Sequence, residues 1–86
     1  MAKDFHNAAG YGNLSEIKIF IAAGLSPNER GNNGITPLIM SARFHHNDVI
    51  EWLLMNGADV NLSDNQGRTA LMHAAQSRNM DGRNKG

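Results

Sequence analysis

Apolar positions along the chain fall into short bursts divided by polar, glycine-containing stretches. Leu14, Ile17, Phe20 and Ile21 are spaced by three and four, which lines one face of a helix. Ile50, Leu53 and Leu54 repeat that face, and Leu53 and Leu54 are expected to sit between neighbouring units. A second kind of burst is Phe5-His6-Asn7-Ala8-Ala9, with counterparts Leu38-Ile39-Met40-Ser41-Ala42 and Leu71-Met72-His73-Ala74-Ala75. Its small residues let helices approach closely. The pattern predicts helices over about 5–10, 14–23, 37–44, 48–56 and 70–77, with polar turns between them.

The bursts recur at a fixed interval. A shift of 33 residues places Gly34 on Gly67, Thr36 on Thr69 and Leu38 on Leu71. The reverse shift places Ala42 on Ala9, Ile50 on Ile17 and Asn61 on Asn28. Such a period marks a stack of supersecondary units, none of which buries its apolar face alone. Helix signals agree with it. Asn13 is a candidate N-cap, with Glu16 three residues on to complete a capping box. Thr36 suits an N-cap and Pro37 the first helical position, where no amide donor is needed. Gly24 and Gly57 follow the last turns of the second helices.

These residues resemble ankyrin repeats. The resemblance rests on Gly34-Ile35-Thr36-Pro37-Leu38, Gly67-Arg68-Thr69-Ala70-Leu71 and Leu53-Leu54-Met55-Asn56-Gly57-Ala58-Asp59-Val60-Asn61, and covers about residues 5–80. It implies an all-α solenoid of helix-turn-helix units with hairpin-like loops, about two and a half repeats. The units are expected at about 1–30, 31–63 and 64–80, the last cut short, followed by a polar tail at 81–86. The chain departs from the family pattern at several places. Ile39 and Met72 stand where the family has histidine after leucine, and His6 alone keeps it. His45 replaces the glycine that ends a first helix, Asn47 replaces a leucine and Ala70 a proline. Asp64 fits the acidic position before the turn, whereas Gly31 does not.

Composition narrows the function classes. Eight Lys and Arg balance eight Asp and Glu, so the basic excess of a non-specific nucleic-acid binder is missing. There is no cysteine, hence no thiolate metal site or disulfide framework. No apolar run reaches membrane-spanning length, and Met1-Ala2-Lys3-Asp4 opens no secretory segment, so a cytoplasmic location is expected. His45 and His46 are neighbours and do not form the i, i+4 pair that would present two ligands together. Gly10-Tyr11-Gly12 follows no strand, which removes a phosphate-loop reading. No cofactor, catalytic group or metal ligand is assigned.

The resemblance implies a non-catalytic module that binds a partner protein through its concave helix face and loop tips. The role is a small inhibitor or adaptor, or part of a longer repeat protein. The alternative, a small metal-dependent enzyme or nucleic-acid-binding factor, lacks ligand spacing and charge. Tyr11 and Phe44 are equivalent by the 33-residue shift, and Gln76 and Ser77 are the counterparts of Arg43 and Phe44. By the resemblance these lie on the inner helix row, and exposed aromatic and arginine side chains are favoured anchors. Arg30, Asn32, Asn33 and Ile35, and Ser63, Asn65, Gln66 and Arg68, lie at the loop tips. Turn chemistry explains the asparagines and glycines, but not Ile35 or Arg68. Met40 and His73, also equivalent, either join the concave surface or lie half buried. Trp52 is assigned to packing on the outer row. Self-association through the open end of the third unit is a further expectation, since no second helix is expected to cover Leu71 there. Neither nucleic acid nor membrane is expected as a partner.

Overall fold

A computed structural model describes the backbone of residues 2–82 and the side chains of residues 4–76. Five helices follow in order: α1 (Ala2–Tyr11), α2 (Leu14–Ala22), α3 (Pro37–Arg43), α4 (Asn47–Met55) and α5 (Ala70–Gly82). A 3-10 turn at Asn32–Gly34 lies between α2 and α3. The described residues contain no sheet, and the one β-bridge among them joins Ser63 to Thr69 in the antiparallel sense.

Local chemistry starts α2, α3 and α5 where the sequence places them. The Asn13 side chain accepts from the Glu16 amide at 3.3 Å and caps α2. The Thr36 hydroxyl accepts from the Ile39 amide at 3.2 Å and caps α3. Thr69 repeats that contact with the Met72 amide at 3.4 Å. The loops repeat as well. The Gly31 amide donates to Ile35 O at 2.8 Å, and the Asp64 amide donates to Arg68 O at 2.9 Å. Two hydrogen bonds then tie one loop to the next. The Asn65 amide donates to Asn33 O at 2.9 Å, and Arg30 Nη1 to Ser63 O at 2.7 Å.

α1, α3 and α5 form the inner row, with α3 packed between the other two, and α2 and α4 lie behind. Ala8, Ala9, Ser41 and Ala42 are buried where α1 and α3 meet, so the small residues set the close approach. Phe5, Ile17, Leu38, Ile39, Val49 and Leu53 fill the core. Trp52 packs against it from the outer row, with Lys18 Nζ 6.0 Å from the ring centroid. The result is an elongated array of 44 × 25 × 21 Å.

Three expectations change. Leu54 is 44% exposed while Leu53 is fully buried. Val49 and Leu53, four apart, carry the buried stripe of α4, and Leu54 lies about 100° round the helix from Leu53. Ile35, expected at an exposed loop tip, is part of the core cluster, because the loop turns its side chain under the helix row. α5 does not end near Ser77 but continues to Gly82. Arg78, Asn79 and Met80 include no glycine or proline, and nothing before Gly82 interrupts the backbone ladder.

His45 holds a left-handed backbone, φ 61°, at the place that Gly12 occupies with φ 75° in the first unit. A side chain there costs about 1 kcal/mol, since Cβ crowds the following carbonyl. The His45 side chain is exposed and has little packing to lose. Replacement His45→Gly is therefore expected to raise stability by up to about 1 kcal/mol. A lower melting temperature in that variant would contradict the strain.

Candidate functional site

Two grooves open on the inner row, one between α1 and α3 and one between α3 and α5. The first, about 680 Å³, is walled by His6, Asn7, Arg30, Asn32, Met40 and Arg43. The second, about 650 Å³, is walled by Arg43, Phe44, Asn65, Gln66, Arg68 and Gln76, with Asp64 and His73 at its base. Asn33, Ile35 and Arg43 belong to both, so the grooves are continuous. Every candidate site residue but two lines one groove or the other. Tyr11 is 81% exposed at the end of α1 and lies outside both. The Ser77 side chain lies outside the described residues.

The individual placements differ in kind. Arg43, Phe44, Gln76, Asn32, Asn33, Asn65 and Gln66 are exposed, Met40 and Arg68 half-buried. Ile35 and His73 are buried and shape the grooves from beneath rather than offering contact surface. Arg43 and Phe44 form the centre. The Arg43 guanidinium lies 5.6 Å from the Phe44 ring centroid, and the ring packs near Gly10 of α1. A planar cation held over an aromatic face keeps its donors pointing outward.

Asp64 organises the base of the second groove. Its Oδ1 accepts the amides of Gln66 and Arg68, each at 2.9 Å. Its Oδ2 accepts His73 Nε2–H at 2.8 Å. Arg68 Nε stands 3.4 Å from Oδ2, an ion-pair contact without hydrogen-bond geometry, while Arg68 Nη1 donates to Gln76 Oε1 at 3.3 Å. The Arg68 amide first, then the His73 ring, the Gln66 amide and the Arg68 charge, hold the Asp64 carboxyl well below the ordinary carboxylate range, against the opposing effect of burial. A group ionised more readily in the folded chain than in the unfolded one stabilises the fold above its ordinary pKa, near 3.8. That contribution is lost as the pH falls from there through the depressed folded value. Urea melts are expected to show stability declining below about pH 4, with a shallower decline in Asp64→Asn. Equal acid slopes in both chains would contradict this role.

His6 and His46 are also structural. His6 Nε2–H donates to Glu29 O at 2.7 Å, and His46 Nε2–H to Gly10 O at 2.8 Å. Among the described residues no three His, Asp or Glu side chains gather where they would hold a metal ion. Sequence reasoning missed Asn7 as a groove residue, although it is the 33-residue counterpart of Met40 and His73. It missed Asp64 as the hub, although the family pattern marks that position. Arg30 was placed at a loop tip, but its bond to the next loop had no signal in the sequence.

The repeat geometry has counterparts among known proteins. A family model, Ankyrin repeats (3 copies), matches residues 5–83. An ankyrin repeat-containing protein of Schizosaccharomyces pombe, P1E11.10, is 33% identical over 64 residues, 74% of this chain and 31% of that protein. Neurogenic locus notch homolog protein 1 of Cricetulus griseus is 42% identical over 67 residues, 77% of this chain and 3% of its own length. The E3 ubiquitin-protein ligase KEG of Arabidopsis thaliana is 31% identical over 75 residues, 87% of this chain and 5% of its own. The chain thus spans less than a third of each of these relatives. Repeats of this kind generally mediate protein–protein interaction and are generally not catalytic. With stacked helix pairs, capped first helices and the hydrogen bond that closes each loop recurring at the matched period, this chain belongs to the ankyrin repeat family.

Proposed function

We propose that the continuous groove across α1, α3 and α5 binds a partner protein, the chain acting as a cytoplasmic inhibitor or adaptor without chemistry of its own. One observation carries the reading: Arg43 and Phe44 stand exposed and stacked where the two grooves join. Arginine and aromatic side chains carry much of the energy of protein interfaces, and a central position with a polar rim is where such anchors sit. The rim here is amide-rich, from Asn32, Asn33, Asn65 and Gln66. No helix among the described residues is long and apolar enough to cross a membrane. Capture of partners from a lysate on the immobilised chain, compared with Arg43→Ala and Phe44→Ala, tests the proposal. Both side chains are exposed, so the variants fold. A protein retained by the parent chain and lost from both variants is expected; identical retention on all three would reject the groove.

A second reading concerns self-association. Leu71 is 73% exposed and Met72 52%, whereas their counterparts Leu38 and Ile39 are 2% and 1% exposed. α4 packs on α3, and no second helix among the described residues packs on α5. Identical chains present identical apolar patches, and a two-fold contact needs one surface only. Light scattering is expected to find a dimer that Met72→Lys returns to monomer. A parent chain that stays monomeric, with residues 70–77 protected in hydrogen exchange, would defeat it.

A further inference from the structure

Resting on the partner-binding reading of the same groove, we infer that the occupant is an extended, acidic peptide segment of the partner. The charges around the groove argue for it. Its walls carry Arg30, Arg43 and Arg68, and the one carboxylate among the lining residues is Asp64. Asp64 is buried and already engaged by His73 and by Arg68 at 3.4 Å, so it cancels Arg68 and projects little charge outward. Arg30 donates to the carbonyls of Ser63 and Gly34, which leaves its positive charge uncompensated. Arg43 pairs with no carboxylate among the described residues and rests on an aromatic ring. The chain is neutral as a whole, yet α4 carries Asp48 and Glu51 on the outer row and Asp59 follows it. Within a neutral chain the groove lining therefore holds a local excess of cations. Such a field recruits anions and sets partner choice.

The form of the partner follows from the rest of the lining. Asn7, Asn32, Asn33, Asn65, Gln66 and Gln76 offer amides that both donate and accept. Those suit a strand whose own backbone N–H and C=O groups are unpaired. Adjacent inner helices are about 8–10 Å apart, which three residues of extended chain span. Acidic residues three apart would then place one carboxylate in each groove, with an apolar side chain over Phe44.

A displayed library of random 12-residue peptides, selected on the full chain and measured by fluorescence anisotropy, tests this. Selected peptides are expected to be enriched in Asp and Glu at a spacing of three. Arg43→Glu should weaken them by about tenfold or more, the worth of a charge-assisted hydrogen-bond pair, and Arg43→Lys by less. Selection of neutral or basic peptides that Phe44→Ala still abolishes would overturn the acidic class and leave the groove as a binding site. Peptides indifferent to both Arg43 and Phe44 would overturn class and groove together. A single-stranded oligonucleotide bound as tightly, and equally sensitive to Arg43→Glu, would show that the surface reads polyanions in general and would overturn the peptide assignment.

Discussion

Replacement Leu53→Ala is expected to lower stability by about 2–5 kcal/mol, the combined transfer and cavity cost of truncating a buried leucine. Leu53 is fully buried, and its carbonyl also anchors the end of α4 by accepting the Ala58 amide at 2.9 Å. A small domain holds roughly 5–15 kcal/mol in total, and an array this short sits at the low end. The variant is therefore expected to be largely unfolded near physiological temperature. The neighbouring Leu54→Ala supplies the contrast, because that side chain is 44% exposed and should shift the melt far less. Thermal melts of the two proteins check the assignment, and similar shifts would contradict it.

The second large effect is expected at Gly34. This residue is buried with φ 73°, and a Cβ there would meet the Asn65 side-chain oxygen at 2.5 Å and the Asn65 backbone nitrogen at 3.0 Å. The Asn65 amide donates to Asn33 O, so the obstruction falls on the hydrogen bond that joins the two loops. Gly34→Ala should cost roughly 2–3 kcal/mol, about 1–2 of it from the left-handed backbone and the rest from displaced loop contacts. Gly67 separates these contributions. It is the counterpart of Gly34 by the 33-residue shift and has φ 79°, but a Cβ added there would meet nothing within 4 Å. Gly67→Ala is expected to carry the conformational cost alone. Since Asn33 and Asn65 both line the second groove, Gly34→Ala should also weaken partner capture under conditions where the variant is folded. Equal destabilisation by the two alanines in urea melts would show that the loop contact contributes nothing.

The sequence by itself determined the period, the all-α architecture and the helix starts, because these depend on contacts within a few residues. Asn13, Thr36 and Thr69 cap helices through bonds to the third residue on, and that spacing is visible in one dimension. The 33-residue register also made Gln76 the counterpart of Arg43, and the family resemblance put both, with Phe44, on the inner row. The separation between Leu53 and Leu54 was not legible, since both satisfy helical spacing and burial depends on which neighbouring element covers each. The same holds for Ile35, which a turn composition places outside and the helix row takes in. Long-range polar partners were likewise decided only by the tertiary structure. His46 reaches Gly10 across 36 residues, and Arg30 reaches Ser63 across 33, where local pattern carries no information. The local excess of cations along the groove belongs with these. Composition sums eight cations and eight anions to zero, and only folding brings Arg30, Arg43 and Arg68 to one surface with a single, already engaged carboxylate among them.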